Sequence, residues 1–148
     1  MTTIAALTAR DHDDWLPLWA AYIEFYKSSV PDDVTEATLG RFLDPAVPMH
    51  AAIARDEDGR AIGFVHWLEH HGTWSKPGFT YLEDLFVAGS ARGGGIGRAL
   101  IEHVTKAARE AGSDKVYWLT SEGNTTARAL YDRVAHRTGF IHYEIELA

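Results

Sequence analysis

Two adjacent carboxylates and one tyrosine are the side chains of this sequence best suited to proton transfer. Glu83 and Asp84 lie inside an otherwise apolar and aromatic run, residues 81–87. A carboxylate within such a run is costly unless it is paired or used, so both residues are candidates for an acidic site, and structural pairing with Arg or Lys is the alternative. Tyr131 lies on the apolar stripe of a predicted helix, where it is either a proton donor or an ordinary core tyrosine.

A glycine-rich turn follows this run and is the strongest motif of the chain. Residues 87–98 have the sequence V-A-G-S-A-R-G-G-G-I-G-R, and an amphipathic helix comes next. Free amides and the positive end of a helix meet at such a turn, and glycines let an anion approach the backbone closely. Arg92 and Arg98 add positive charge to a chain whose net charge is −7. The turn therefore predicts a phosphate-binding site, with an unliganded flexible turn as the alternative.

Three familiar motifs are excluded at this turn. The dinucleotide pattern G-x-G-x-x-G fails in every register, because Arg98 and Leu100 occupy the positions of the last glycine. A P-loop requires a Gly-Lys pair, and the hydrolase elbow requires G-x-S-x-G; the chain contains neither.

The elements that must position these residues alternate between strands and helices. Hydrophobic periodicity predicts strands over residues 3–7, 50–55, 60–70, 81–87, 115–119 and 141–147, and helices over 11–27, 33–43, 95–111 and 125–137. This order predicts an α/β or mixed α+β sandwich around one sheet, and the 148 residues suit a single domain spanning 1–148. Simple alternation along the fourth strand places Glu83 on one face with Tyr81 and Leu85, and Asp84 on the opposite face with Leu82 and Phe86, unless a bulge intervenes.

Composition excludes several classes of function. A pI of about 5.5 argues against binding to nucleic acids or anionic membranes. The absence of cysteine excludes thiol nucleophiles, disulfides and cysteine-ligated metals. No signal peptide and no membrane span are predicted, so we expect a cytoplasmic protein.

Three histidines, His66, His70 and His71, form an apparent metal motif. The H-x-x-x-H spacing brings two ligands together only on a helix, and this segment is predicted to be strand and loop. We therefore expect no metal site.

The motif Arg92-x-x-Gly95-x-Gly97 resembles the pyrophosphate-binding motif of the GNAT superfamily of N-acetyltransferases. Residues 81–87 before the turn and 116–120 after the helix match in order and spacing, as do Asn124 and Tyr131 on the last helix. The match covers about residues 81–134. Within the superfamily the chain is most similar to polyamine and diamine acetyltransferases and to fungal histone/polyamine and D-amino-acid acetyltransferases.

The resemblance implies a mixed sheet splayed between its fourth and fifth strands, with helices on both faces and acetyl-CoA in the gap. Asn124 is implied to contact the pantetheine arm, with a helix N-cap as the alternative role. The remaining implied contacts to acetyl-CoA are backbone pairing of the pantetheine with Leu85, Phe86 and Val87, and diphosphate binding by Arg92, Gly93, Gly94, Gly95, Ile96, Gly97 and Arg98.

The resemblance also implies direct transfer to an amine in a ternary complex. Glu83 would accept the amine proton through water, and Asp84 would bind a cationic acceptor. Tyr131 would protonate the leaving thiolate, which is uphill by about 1.5 pKa units unless the environment of the phenol shifts its pKa. An unpaired amide of Phe86 or Val87 would polarise the thioester carbonyl.

The expected function is therefore acetylation of a small-molecule primary amine, a polyamine or an amino acid derivative. An acetyltransferase of protein lysines or N-termini and a non-catalytic acyl-CoA-binding module are the alternatives. The final strand, residues 140–147, is expected to pair or exchange across a homodimer.

Overall fold

A mixed five-stranded sheet, covered by helices on both faces, organises the chain in the computed structural model, which describes residues 1–147. The strands follow the order β1-β2-β3-β4-β5, and only β4 and β5 are parallel. The strands are β1 (Thr3–Ala6), β2 (Met49–Arg55), β3 (Ala61–Gly72), β4 (Ser75–Val87) and β5 (Val116–Tyr117), and the helices are α1 (His12–Phe25), α2 (Asp32–Leu43), α3 (Ile96–Glu110) and α4 (Thr125–Val134). The predicted fold class is confirmed.

Each face of the sheet has its own core. On one face, the fully buried rings of Trp15 and Phe64 pack with residues of α1 and α2. On the other face, Val65 packs against Leu100 and Val104 of α3. Because β2 and β3 are buried on both sides, they are nearly continuous apolar runs rather than alternating ones.

A β-bulge interrupts the β3–β4 ladder at Glu83. His66 is opposite Asp84 but Trp67 is opposite Leu82, so Glu83 has no counterpart across the ladder. Leu82 and Leu85 consequently pack on the same core although they are three residues apart. The predicted alternation is wrong across the bulge, where Leu82 and Asp84 fall on opposite faces because the extra residue shifts the pleat by one position, but Asp84 and Phe86 share a face as predicted.

The parallel pair β4–β5 is very short. Its only paired positions are Thr80 with Val116 and Tyr81 with Tyr117, and β4 then runs on to Val87 beside a gap. The Ala88 amide donates to the Ile62 carbonyl (2.8 Å), and this bond fixes which amides of β4 point toward β3 and which point away from it. The amide of Phe86 therefore points toward β3, and the amides of Leu85 and Val87 point into the gap. The implied splay between the fourth and fifth strands is confirmed.

The predicted final strand is wrong for the single chain. Residues 136–147 form neither helix nor strand, and the side chains of Ile141, Tyr143, Ile145 and Leu147 are 69–91% exposed. Alternating apolar residues form a strand only beside a free strand edge, and this segment does not lie along one within its own chain. β5 and α4 also end earlier than predicted, at Tyr117 and Val134. Among the described residues, no helix combines the length and apolar character needed to cross a membrane.

Candidate active site

A cavity of about 550 Å³ opens where β4 and β5 diverge. Its walls are the end of β4, the glycine-rich turn, the first turn of α3, one face of α4 and the C-terminal end of α1. Ligands of open α/β sheets bind in such crevices beyond the carboxyl ends of the strands. All predicted cofactor-binding residues line the cavity except Gly94: Leu85, Phe86, Val87, Arg92, Gly93, Gly95, Ile96, Gly97, Arg98 and Asn124.

The backbone of the glycine-rich turn presents the N-terminus of α3 to this cavity. Gly93 and Gly95 have φ angles of +87° and +80°, in the left-handed region that side chains disfavour. Gly95 occupies the N-cap position, so no side chain caps the first amides of α3. Those amides and the positive end of the helix are thus left to an anionic ligand.

Both arginines of the turn make only weak contacts, which a ligand could replace. The Nε of Arg92 donates to the carbonyl of Val87 (3.1 Å), and its guanidinium lies 5.8 Å from the ring centre of Phe25. The Nε of Arg98 pairs with Glu102 at 3.2 Å on the exposed surface of α3. Exposed ion pairs contribute little, so an incoming phosphate can compete for both guanidinium groups.

Tyr131 projects from α4 into the same cavity. Its ring packs edge-on against Trp118, with 5.4 Å between ring centres. Burial, together with nearby Tyr26, raises the pKa of the Tyr131 phenol. In the free protein the environment therefore makes this phenol a weaker acid, which is opposite to the shift that would assist proton donation.

Asn124 stands at the N-cap position of α4, but its side chain does not cap the helix. Its Nδ2 donates instead to Oγ1 of Thr120 at 3.3 Å, and the residue lines the cavity. The alternative role as a capping side chain is not seen in this structure.

Glu83 and Asp84 lie outside the cavity lining, on the bulge of β4. Glu83 remains exposed to solvent; partial desolvation, followed by the negative charge of Asp84, raises the pKa of its carboxyl. Among residues 1–147, no Lys or Arg forms an ion pair with either carboxylate. Tyr22 lines the cavity, and burial followed by the charge of Asp84 raises the pKa of its phenol. Tyr22 thus connects Asp84 to the cavity wall.

Asp84 accepts a hydrogen bond from the core of the protein. Nδ1 of His66 lies 2.8 Å from Asp84 Oδ2, and Nε2 of His66 lies 3.0 Å from the indole nitrogen of Trp15. His66 and Trp15 are fully buried, and burial lowers the pKa of the imidazole although Asp84 opposes this shift. His70 points elsewhere, to the hydroxyl of Tyr117 at 2.7 Å. The part of the chain described here contains no group of three or more His, Cys, Asp or Glu arranged to hold a metal ion.

One wall of the site comes from residues to which the sequence patterns assigned no role. Tyr22, Phe25 and Tyr26 line the cavity from the last turns of α1. Their i, i+3, i+4 spacing was a visible signal, but the same spacing is typical of a helix packing on a core. Further lining residues without a predicted role are Ala91, Thr126, Ala127, Leu130 and Arg133.

Comparisons with known proteins agree with this geometry. Residues 15–136 match the model of the Acetyltransferase (GNAT) family. The chain is 40% identical over 142 residues to the D-amino-acid N-acetyltransferase HPA3 of Saccharomyces cerevisiae, covering 95% of this chain and 88% of the relative.

Solved structures share the fold. A ribosomal-protein-alanine N-acetyltransferase from Brucella melitensis superposes with a TM-score of 0.79 at 25% identity, covering 99% of this chain and all of the other. The AAC(6')-Iy structure in complex with the bisubstrate analogue CoA-S-monomethyl-acetylneamine superposes with a TM-score of 0.87 at 22% identity, covering 100% and 99% of the two chains.

The coupling between the two carboxylates predicts a measurable titration. We expect the Glu83 carboxyl to titrate above the usual value of 4.5, and Asp84→Asn to lower its pKa because a neighbouring negative charge is removed. Side-chain ¹³C NMR of the carboxyl carbons measures both. Asp58→Asn, in the exposed β2–β3 turn, is the matched control and should leave the Glu83 pKa unchanged. An unchanged pKa in Asp84→Asn contradicts the coupling.

Proposed function

The chain belongs to the acetyltransferase (GNAT) family, and from this premise we propose that it transfers the acetyl group of acetyl-CoA to the primary amine of a small molecule. The observation that carries the proposal is the arrangement around the gap between β4 and β5. Uncapped amides and two arginines lie on one side, and two carboxylates without a cationic partner lie beyond Tyr22 on the other. An anionic donor and a cationic acceptor thus have separate, complementary places.

The residues that line the cavity fit acetyl-CoA, whose thioester would supply the activated acetyl group. Amides between Arg92 and Arg98 would hold the diphosphate, because the first turn of α3 lacks a side-chain cap. The amides of Leu85 and Val87 would pair with the pantetheine arm like an added strand. Val87 is also the better of the two predicted donors to the thioester carbonyl, since the amide of Phe86 is directed toward β3.

The acceptor site is built for a charged amine. The carboxylate of Asp84 would bind its ammonium group, and the aromatic residues of α1 would cover its carbon chain. Polyamines and amino acid derivatives both have such a group. The 40% identical relative, named for D-amino acids, adds weight to an amino acid, and Arg133 in the cavity wall offers a partner for its carboxylate.

Proton transfer completes the proposed reaction. An alkylamine has a pKa of about 10.4, so only about one molecule in 2,500 is neutral at pH 7. Glu83 would take its proton through water, aided by its raised carboxyl pKa. Tyr131 would donate to the departing thiolate. The cavity that raises the phenol pKa also desolvates the thiolate, so the raised pKa does not by itself oppose the transfer.

Thiol release from acetyl-CoA, measured against polyamines, D- and L-amino acids and lysine-containing or N-terminal peptides, tests the function. We expect turnover with at least one free small amine, at a kcat/KM at least about tenfold above that of any peptide, because Asp84 lies behind Tyr22 of the cavity wall. Faster turnover of peptides would favour a protein acetyltransferase. If calorimetry shows that coenzyme A binds but no amine gives thiol release, the chain is a non-catalytic acyl-CoA-binding module. If coenzyme A does not bind, the proposal is refuted.

Replacing Tyr131 by Phe tests its role as proton donor. We expect kcat to fall by roughly 10²-fold while the KM for acetyl-CoA changes by less than about threefold, because the lost hydroxyl acts mainly in the transition state. Steady-state kinetics give both values. Tyr117→Phe is the matched control, since it also removes a half-buried tyrosine hydroxyl whose pKa is raised by burial. Equal kcat in Tyr131→Phe and the wild type would exclude the role.

We further propose that the C-terminal segment, residues 136–147, pairs with a second copy of this chain. Ile141, Tyr143, Ile145 and Leu147 alternate with polar residues as in a half-buried strand, yet they are exposed. β5 is the last strand of the sheet, and its outer edge has no partner strand within residues 1–147. In a two-fold dimer, each segment would extend the partner's sheet, so both chains would bury the same apolar row.

Light scattering with size-exclusion chromatography checks this assembly. We expect a dimer for the wild type and a monomer for the double variant Ile141→Glu/Ile145→Glu, because buried charges oppose strand pairing. Glu144→Gln, on the polar side of the segment, is the control and should remain dimeric. A monomeric wild type contradicts the proposal.

A further inference from the structure

The hydrogen bonds of His66 determine where its proton lies. An indole N–H can only donate, so Nε2 of His66 must accept from Trp15 across 3.0 Å. The ring proton is therefore on Nδ1, where it is donated to Asp84 Oδ2 across 2.8 Å. His66 is thus a neutral donor to the Asp84 carboxylate.

The surroundings of His66 oppose a second proton. Its neighbours are rings: Trp19 of α1, Phe42 of α2 and Phe64 of β3 have centres 5.4, 4.5 and 4.5 Å from the imidazole. Asp84 is the titratable group in direct contact, and Tyr22 lies next to Asp84. A proton on Nε2 would face the indole N–H and leave two buried donors without acceptors, which is costly in a dry core.

We propose that His66 is a positioning residue for the acceptor: it holds the Asp84 carboxylate in place by hydrogen bonding and leaves its negative charge free for an ammonium group. Burial of the ring and the Trp15 N–H at Nε2 together keep His66 in this state. The inference rests on the proposed function, since it assigns the ammonium of the acceptor to Asp84. A Lys or Arg in place of His66 would orient the carboxylate equally well but would cancel its charge.

Because His66 stays neutral, it does not compete with the acceptor for the Asp84 carboxylate. A histidine that donates to a carboxylate is usually stabilised in its charged form, so its pKa rises. A charged His66 would form an internal ion pair with Asp84 and compete with the acceptor. The Asp84 side chain is 18% exposed and contacts His66 on its core side, so it stays accessible to an acceptor from outside.

The decisive variant is Trp15→Phe, which removes the indole N–H, keeps an aromatic ring and leaves space in which water can accept a hydrogen bond from a protonated Nε2. We expect His66 then to take up a proton as the pH falls from about 8.5 to about 6, so that the KM for the amine rises about tenfold or more relative to the wild type at the lower pH. At the higher pH the two KM values should agree within about threefold. The KM for acetyl-CoA should stay unchanged at both.

A purely structural role gives a different result. In that case the KM values for both substrates, or kcat alone, change by the same factor at every pH, and this outcome overturns the proposal. Trp67→Phe, which removes a buried indole from the other core, and His103→Gln, which removes a half-buried imidazole with a lowered pKa, are matched controls. Neither should give a pH-dependent KM for the amine.

Substitutions of His66 itself provide a second, independent test if Trp15→Phe folds poorly. His66→Asn keeps a neutral donor near the position of Nδ1, so we expect the KM for the amine to stay within about threefold of the wild type. His66→Leu removes the donor, so this KM should rise about tenfold or more at every pH, with the KM for acetyl-CoA unchanged. Equal effects of Asn and Leu overturn the proposal.

¹⁵N NMR of the imidazole separates this inference from the proposed function. Two results support the arrangement. In the wild type, His66 should be a single neutral tautomer protonated at Nδ1 between about pH 6 and pH 8.5, and in Trp15→Phe its ring should be charged at the lower pH. A charged imidazole in the wild type overturns it. Failure of the proposed function is seen differently, as absence of thiol release from the wild type with every amine.

Discussion

The early end of the β4–β5 ladder is the constraint on which the rest of the molecule depends. Beyond Tyr81, β4 remains paired with β3 but has no strand on its other side, so alternate amides face a gap. Backbone polar groups must be satisfied, and here water or a ligand must do so. α3 starts beside this gap and α4 packs across it. The cavity therefore forms because the parallel pairing of β4 with β5 ends before β4 itself ends.

Charge is distributed around that gap in an ordered way. The chain is acidic overall, yet the uncapped N-terminus of α3 and its arginines make one side positive. On the other side, Glu83 is next to Asp84, and burial followed by the charge of Asp84 raises the pKa of the Glu83 carboxyl. The bulge leaves Glu83 without a counterpart on β3, while Asp84 keeps its place opposite His66.

Two features of the site depend on atoms far apart in the chain. The hydrogen-bonded series from Trp15 through His66 to Asp84 joins α1, β3 and β4, and its residues are separated by 51 and 18 positions. No local pattern marks it, because a histidine in an apolar run resembles any other core residue. The bulge likewise has no local signal, as it is defined only by the register with β3.

The sequence by itself determined most of the secondary structure and the position of the glycine-rich turn. Periodicity located all four helices and the first five strands, although with errors at their ends, and the glycines with Arg92 and Arg98 marked the turn, because these signals are local. Only the tertiary structure decided which side chains meet: that His66 pairs with Asp84, that Tyr22 stands between Asp84 and the cavity, and that residues 140–147 do not lie against their own sheet. Such facts depend on partners distant in sequence, and hydrogen bonds and strand pairing are defined only once both partners are in place.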